Sequence, residues 1–579
     1  MGLEIIKRFA GYFHKYRVYA ILAAVCIAAE TVLELAIPLV MSDLVDVGVA
    51  NGDRAYIFQQ GGLMVGCAVL AMIFGVGSAR FAAVCGHGLA AEIRKAEYQK
   101  IQSFSFANRD RFRTESLVTR MTSDVITIQN AVVNGMRPAV RAPMMMLTAL
   151  VMSFVINARL ALVFVVATPT LGFLVFQIVR HVRPLYTKLQ GAIDQVNRII
   201  QENLTAIRIV KAYVRGDYES AKFDQVNQNL RGVAEHSFRL AVLNMPALQL
   251  VMYCTILAIL WIGGGMIVSG DLMLGKLTGF LSYVLQVLNS MILLSNVFLL
   301  LTRAMASGQR ILEVMDEPID ITEERAKDVR VEHGSVKFDH VSFKYRSDAA
   351  EYVLRDINLD IGAGETVGII GGTGSAKSTL VQLIPRLYEV TEGTLLVDGR
   401  PVYEYPLAHL RDAIAMVLQK NTLFSGTVLE NLRWGKEDAT EEEIREACHV
   451  ACVDEFIDRL ENGYETDLGQ GGVNVSGGQK QRLCIARAIL KKPKVLIMDD
   501  STSAVDMVTE AKIRDGLAQC LPDTTKIIIA QRITSVLHAD KIVILDDGKI
   551  DAVGDHWHLL ETNKIYQEIY HSQQEGAGL

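Results

Sequence analysis

Long apolar runs occupy the first half of the chain, and short apolar bursts replace them in the second half. Up to about residue 305 the hydrophobic runs reach about twenty residues, which as helices would cross a hydrocarbon core about 30 Å thick. Beyond that point the apolar groups have the length of β-strands. The pattern predicts a helical membrane domain followed by a soluble α/β domain. The predicted bounds are 1–318 for the transmembrane domain, 319–335 for a linker and 336–579 for the soluble domain.

Six stretches of the first domain have the hydropathy of membrane-spanning helices. The third is short, and we expect its helix to begin earlier, near Val132, with Arg137 and Arg141 close to the cytoplasmic interface. The segment before the first span is amphipathic and charged, which fits an interfacial helix better than a cleaved signal peptide. The candidate spans are 18–41, 60–84, 139–156, 159–179, 240–268 and 277–301.

The loops between these spans alternate in length and in charge. Arg54, Arg159 and Lys276 are the only lysine or arginine residues in the short loops, whereas the long loops near 87–138 and 180–239 are rich in both. The positive-inside rule therefore places the long loops and both termini in the cytoplasm. Because the long loops keep helical periodicity, we expect the membrane helices to continue well beyond the bilayer.

Composition and charge narrow the choice of partners. Half of the residues are hydrophobic, and the mean hydropathy of +0.25 is high for a soluble protein. The net charge is −6 and the sequence contains no basic stripe, so no nucleic-acid partner is expected. Membrane lipid is the expected surrounding of the first domain.

A glycine-rich segment of the second domain carries the features of a phosphate-binding loop. ETVGIIGGTGSAKSTLVQLI predicts a strand, a glycine-rich turn and a helix. Gly371, Lys377 and Ser378 match the pattern G-x-x-x-x-G-K-[ST], but Ala376 stands in place of its last glycine. The pattern supplies backbone N–H groups and a lysine for phosphate oxygens, and a hydroxyl for Mg²⁺. With one mismatch, this segment alone leaves a purely structural glycine turn open.

Four further segments follow in order, and together they exclude the structural turn. Gln419 ends the apolar run AIAMVLQ, and VSGGQKQR at 475–482 opens a helix. VLIMDD at 495–500 is an apolar strand that ends in two carboxylates and is followed by STSAVD. IIIAQRITSV begins another buried strand near residue 527.

These motifs resemble the ATP-binding cassette family, and the resemblance extends over nearly the whole chain. The serine-glycine-glycine-glutamine signature separates this family from other P-loop NTPases. The membrane half resembles the exporter branch in FRTESLVTRMTSDVITIQ (112–129), ENLTAIRIVKAYVRGDYE (202–219) and ASGQRILEVMDEP (306–318). The resemblance implies a half-transporter with a six-helix all-α transmembrane domain and an α/β P-loop cassette with a helical subdomain. It also implies ATP-driven export of an amphipathic small molecule across a bacterial inner membrane.

The resemblance further assigns roles residue by residue. Tyr345 would stack on adenine, Asp499 would order Mg²⁺, and Gln419 would touch Mg²⁺ and water. The signature would close over the γ-phosphate of ATP bound to a second cassette, so two half-transporters must dimerise. The implied nucleotide-binding residues are Tyr345, Gly371, Gly374, Ser375, Lys377, Ser378, Thr379, Gln419, Ser476, Gly477, Gly478, Gln479 and Asp506, and the implied metal ligands are Ser378, Gln419 and Asp499.

Three residues of the expected ATP site depart from the family pattern. Asp500 occupies the catalytic position where a glutamate usually acts as general base, and Gln531 replaces the histidine that contacts the γ-phosphate. The missing methylene withdraws the carboxylate by roughly 1.5 Å, and a general base must lie within about 3 Å of its proton donor. Ala376 is the third change; if its backbone needs positive φ, it costs about 1–2 kcal/mol.

The three changes affect the ATP face of this chain, whereas its signature is intact. This asymmetry favours a heterodimer, similar to heterodimeric bacterial multidrug exporters, in which this chain is the subunit with the degenerate site. A different partner chain would then carry the working glutamate and histidine. A slow homodimeric exporter is the first alternative, and an ATP-gated or regulatory membrane subunit is the second. The residues do not identify the substrate, since amphipathic drugs, lipids and peptides all fit.

Polar side chains within the predicted spans are candidates for substrate contact. Glu30 and Glu34 lie i,i+4 in the first span, where carboxylates should face the bundle or a wet cavity. Two interpretations are equally favoured. In the first, the carboxylates contact substrate or a cation. In the second, they form a fixed ion pair or face a solvated outer vestibule. Gln286, Asn289 and Asn296 share one face of the sixth span, which predicts either cavity lining or interhelical hydrogen bonds.

Overall fold

The computed structural model of the protein describes residues 2–346 and 348–577. At residues 2, 3, 6 and 575–577, and at scattered positions of 164–187, 240–248 and 288–299, it describes the backbone alone. The chain divides into two compact units. The first comprises Met1–Lys100 and Glu115–Asp316, and the second comprises Ile101–Thr114 and Glu317–Leu579.

The first unit consists of helices, several of which are far longer than a bilayer is thick. Helix α3 has 49 residues and α8 has 48, so at about 1.5 Å per residue each is about 70 Å long. This confirms that the membrane helices continue past the predicted spans. The helices of this part of the chain, with α4 belonging to the second unit, are α1 Gly2–Tyr12, α2 Arg17–Asp43, α3 Arg54–Gln102, α4 Phe106–Arg111, α5 Thr114–Thr119, α6 Val125–Val133, α7 Met136–Ile156, α8 Ala158–Thr205, α9 Ile207–Ala212, α10 Gly216–Ala241, α11 Asn244–Val268 and α12 Leu274–Met315.

Four helical stretches of the described residues are long and apolar enough to cross a membrane. They are His14–Val49, Arg54–Gln102, Thr114–Ile156 and Gln249–Val268. The predicted spans 159–179 and 277–301 fall in α8 and α12, where part of the side chains lies outside the described residues.

Helix α7, which contains the third predicted span, begins at Met136 rather than near Val132. Proline has no N–H, so Pro138 cannot donate the helical hydrogen bond to the carbonyl of Asn134, and the helix is interrupted between α6 and α7. The helix therefore does begin before residue 139, as expected, although at Met136 rather than at Val132.

The second unit contains two sheets and a helical subdomain. One sheet is antiparallel with the strand order β2-β1-β4-β5, and the other has the order β10-β9-β3-β8-β7-β6. The strands are β1 Val336–Phe343, β2 Leu354–Ile361, β3 Thr366–Ile370, β4 Glu392–Val397, β5 Arg400–Pro401, β6 Ile414–Val417, β7 Val495–Asp499, β8 Thr525–Ile529, β9 Lys541–Asp546 and β10 Lys549–Gly554. The helices are α13 Lys377–Leu383, α14 Leu407–Ala413, α15 Val428–Arg433, α16 Glu441–Val450, α17 Asp454–Ile457, α18 Gly477–Leu490, α19 Met507–Cys520, α20 His556–Thr562 and α21 Lys564–Ala577.

The order of the parallel strands determines where polar side chains can meet. Strands β3, β8, β7 and β6 are neighbours in parallel pairs. Their residues are almost entirely apolar and buried, as expected for parallel strands covered on both faces. Ligands of such sheets bind beyond the carboxyl ends of the strands. The segments after these four strands therefore meet at one edge of the sheet.

The short segment 101–114 joins the second unit through contacts with residues distant in sequence. Phe106 and Tyr388 are in ring contact with centroids 5.9 Å apart, and the Tyr388 hydroxyl donates to Asp110 over 2.7 Å. Asn108 donates its side-chain amide to the carbonyl of Pro318 over 2.7 Å. Burial and the hydrogen bond to Asp110 raise the pKa of Tyr388, so its hydroxyl stays protonated and remains a donor.

Candidate functional site

The glycine-rich loop lies between β3 and α13, with Lys377 folded across it. The Lys377 ammonium donates to the carbonyls of Gly371 at 2.9 Å and Gly372 at 2.7 Å, and to the Ser375 hydroxyl at 3.2 Å. Burial lowers the pKa of Lys377, while Asp499 and Asp500 act in the opposite direction. A loop of this kind, held around a cation at the start of a helix, is suited to phosphate.

Two positions of the loop require a left-handed backbone. Gly374 has φ 86°, and Ala376 has φ 69° and ψ 22°. Ala376 therefore does adopt the positive φ on which its expected cost depended. The residue carries a cost of about 1–2 kcal/mol relative to a glycine. Gly371 is constrained for another reason, since a Cβ there would lie 2.1 Å from the carbonyl oxygen of Leu545.

The start of α13 and the end of β7 place two oxygen ligands side by side. The Ser378 hydroxyl donates to Oδ1 of Asp499 over 2.9 Å, and Asp499 is only 3% exposed. Burial raises the pKa of Asp499, with a further upward contribution from Asp500, while Ser378 and Lys377 lower it.

This pair of oxygen atoms fits Mg²⁺, which prefers hard oxygen ligands and takes few from the protein. Among the described residues, no three His, Cys, Asp or Glu side chains are grouped to hold a metal. Water and phosphate oxygens would therefore complete the coordination. The ion would neutralise charge on the phosphates.

The Asp500 carboxylate is held by two glutamine amides. Its Oδ2 accepts from Nε2 of Gln531 at 2.8 Å and from Nε2 of Gln419 at 3.4 Å. The side chain is 9% exposed and the backbone has φ 48°. One oxygen of this carboxylate is therefore already engaged by two amide donors.

A cavity of about 530 Å³ collects most of the predicted ATP-site residues. Val353 and Ile569 also line it, and sequence reasoning named neither. Ile569 belongs to the C-terminal helix α21, which carries no motif of its own. The predicted residues that line the cavity are Gly371, Gly374, Ser375, Ala376, Lys377, Ser378, Thr379, Gln419, Asp499, Asp500 and Gln531.

Tyr345 lies beside this cavity rather than among its lining residues. Its hydroxyl is 2.8 Å from the Thr379 hydroxyl, and its ring meets Phe343 and Tyr388 edge to face at 5.0 and 5.1 Å. Tyr388 is the residue that also bonds Asp110. An aromatic cluster thus connects the predicted adenine position to the segment 101–114.

The signature residues form the N-terminus of a separate helix and do not line the cavity. Ser476 caps α18: its hydroxyl accepts from Gln479 N at 3.3 Å, and the Gln479 side chain accepts from Ser476 N at 2.8 Å. Gly477 and Gly478 form the first turn, where unpaired N–H groups favour an anion. Asp506 likewise caps α19, and the hydrogen bonds from Thr509 lower its pKa.

In the first unit, both candidate carboxylates are paired with arginines. Arg137 contacts Glu30, and Arg141 contacts Glu34 as well as Glu30. Of the two interpretations given for Glu30 and Glu34, the structure therefore contains the fixed ion pairing. Sequence analysis had not connected these arginines to the carboxylates.

A cavity of about 650 Å³ lies next to this ion cluster. Glu34 and Arg141 line it together with Gln286 and Asn289 of α12. Asn296 is exposed and is not among the lining residues. Of the three sixth-span amides, Gln286 and Asn289 therefore line the cavity and Asn296 does not.

Comparison with known proteins agrees with both units. The family described as ABC transporter transmembrane region matches residues 20–291, and the family described as ABC transporter matches residues 354–503. An uncharacterized ABC transporter ATP-binding protein of Bacillus subtilis, YfiB, is 38% identical over 99% of this chain and 100% of its own length. This chain belongs to the ABC transporter family.

Two further similarities describe this ABC transporter more closely. An ATP-dependent lipid A-core flippase of Chromobacterium violaceum is 31% identical over 98% of this chain and 97% of its own length. The structure of a bacterial Atm1-family ABC exporter with ATP bound has a TM-score of 0.79 and covers 97% of this chain and 98% of that chain, at 24% identity. The latter shows the fold, a helical membrane domain joined to an α/β ATPase domain.

Membership of the family establishes the general activity. The transporter is a membrane-spanning ATPase coupled to transport and binds nucleotide through its cassette. It is a half-transporter of the exporter type, and such exporters function as dimers of half-transporters.

Proposed function

We propose that this transporter exports an amphipathic small molecule across a bacterial inner membrane as one half of a heterodimer. Its own site binds ATP and Mg²⁺ and turns over slowly, and its signature completes the faster site of a different partner chain. The termini and long loops lie in the cytoplasm. The observation that carries this proposal is the Asp500 carboxylate bonded by Gln531 and Gln419.

Slow turnover follows from the chemistry of that carboxylate. A general base must contact the proton it removes, at about 2.6–3.2 Å between heavy atoms. Asp500 has the shorter side chain, and its Oδ2 already accepts the Gln531 amide at 2.8 Å. Gln531 can donate a hydrogen bond to phosphate but cannot carry positive charge. ATP binding by Lys377 and the loop is thus retained, while activation of water is weak.

The signature supports the second half of the proposal. Ser476, Gly477 and Gly478 present a capped helix N-terminus that does not line this chain's own cavity. A second cassette would bring its bound γ-phosphate to this N-terminus. ATP held in the slow site would favour closure of the two cassettes by its differential affinity for the closed state.

Substrate class is supported by the cavity in the first unit. It combines the charged groups of Glu34 and Arg141 with apolar walls such as Ile37 and Leu293. A molecule with a polar head and an apolar body fits both. One of the relatives is named as a lipid A-core flippase, and a lipid substrate is consistent with this class.

The heterodimer is tested by purification and mass. We expect this chain, expressed alone in lipid nanodiscs, to give low ATPase activity, and co-expression with its partner to give a one-to-one complex with high activity. Particle mass and ATPase rate are measured on the same samples. A stable homodimer with full, substrate-stimulated turnover would support the homodimeric alternative and contradict the proposal.

A further inference from the structure

The C-terminal helix α21 is attached firmly to the ATPase fold. Tyr566 is fully buried, and its hydroxyl lies 2.7 Å from Nδ1 of His556. Ile569, three residues later, lines the ATP cavity. Residues four apart share one face of a helix, so Gln573 follows Ile569 on the face turned to the site.

Gln573 uses both ends of its amide to hold the segment that carries Gln531. Its Nε2 donates to the carbonyl oxygen of Gln531 over 2.7 Å, and its Oε1 accepts from the backbone N–H of Ile533 over 2.9 Å. The two bonds hold the backbone on both sides of Arg532. A paired arrangement of this kind restricts position and orientation together.

The same segment is held from the opposite side by side chains near the catalytic position. Gln531 donates its amide to Asp500, and the Ser535 hydroxyl donates to the buried carboxylate of Glu510. Glu510 also accepts from Thr502, two residues after Asp500, over 2.8 Å. Removing Gln573 alone would therefore leave the segment attached to the fold but free to shift the Gln531 amide.

We propose that Gln573 is a positioning residue for Gln531, through which the C-terminal helix sets the affinity of this chain's site for ATP. The inference rests on the proposed ATP site. A segment released from two hydrogen bonds must be ordered again when Gln531 meets the γ-phosphate, and this cost weakens binding. Gln573→Ala removes two hydrogen bonds. The dissociation constant of ATP is therefore expected to rise about three- to tenfold in this variant.

The test measures ATP binding to this chain within the whole transporter. Photolabelling with an azido-ATP at 4 °C, where turnover is suppressed, gives the dissociation constant for this chain alone. Gln574→Ala is the matched control, because the Gln574 amide donates to the Tyr570 hydroxyl of the same helix. We expect the control to bind ATP as the parent does.

A double-mutant comparison separates positioning from general damage to the fold. In a Gln531→Ala background, Gln573→Ala should no longer change the dissociation constant, because the side chain it positions is absent. Gln573→Glu, which keeps an acceptor for Ile533 and loses the donor to Gln531, is the second variant and should weaken binding in the same direction.

Three results would overturn the inference. They are parent-like affinity in both Gln573 variants, an equal loss in Gln574→Ala, and an undiminished loss in the Gln531→Ala background. Lys377→Ala serves as the reference for the ATP site itself. If labelling of this chain survived Lys377→Ala, the proposed site would be wrong, which is distinct from failure of the Gln573 inference.

Discussion

Replacing Ser476 by alanine is expected to lower the ATPase rate of the assembled transporter by about 10²–10³-fold, the usual effect of removing one donor from a developing charge. The Ser476 hydroxyl and the first N–H groups of α18 are the groups that a phosphate of the partner's site would contact. Asp500→Asn, in contrast, is expected to change the rate by less than about twofold. Both variants are compared in the same one-to-one complex under saturating ATP.

Loss of the helix cap is the main structural side effect of Ser476→Ala, and the chain contains a matched control. Thr440 caps α16 with the same capping box, through Glu443. Thr440→Ala removes a similar cap, worth about 0.5–2 kcal/mol, without touching the signature. It should leave the ATPase rate near that of the parent. A fall of about 10²–10⁴-fold in Asp500→Asn would show that this chain's own site performs the chemistry.

The second large effect is expected from restoring the family residues to the slow site. In a Ser476→Ala background the partner's site is slowed by about 10²–10³-fold, so a gain in the site of this chain becomes measurable above the remaining rate. Adding Asp500→Glu and Gln531→His should raise that residual rate about 10²-fold or more, within the range of general-base contributions. The glutamate advances the carboxylate by about 1.5 Å, and the Gln531 amide, the nearer of the two donors that now bond it, is removed.

Single substitutions separate the two causes of slow turnover in this background. Asp500→Glu alone should give a smaller gain, because Gln531 can still donate to the longer carboxylate. Ala376→Gly should relieve backbone strain at φ 69° without supplying a base, so it should raise stability rather than rate. An unchanged residual rate in the double variant would mean that these two residues do not limit the site.

Much of the ATPase unit could be predicted because its elements are local patterns. The apolar strands before the glycine-rich loop and before Asp499 lie where the sequence placed them, as β3 and β7. The expected strain at Ala376 also depended on a local property, the sign of a single backbone angle. The structure shows the positive φ that this strain requires. Patterns of this kind depend on neighbouring residues only.

The contacts that escaped prediction join residues far apart in the chain. Gln573 and Gln531 are 42 positions apart, and Tyr388 and Asp110 are 278 apart. Neither glutamine belongs to a periodic or charged pattern that would single it out on its helix or loop. The pairing of Glu30 with Arg137 likewise depends on how α2 and α7 are rotated about their axes. The fold decides such pairings, and a single sequence contains no signal for them.

The division of labour between the two ATP sites is tested most directly by asking which chain still holds ATP after one turnover. The assembled transporter is loaded with radiolabelled azido-ATP and Mg²⁺, allowed a single turnover, and crosslinked, and the nucleotide on each chain is identified. We predict intact ATP on this chain and ADP on its partner. Equal fractions of ADP on both chains, or ADP mainly on this chain, would contradict the account.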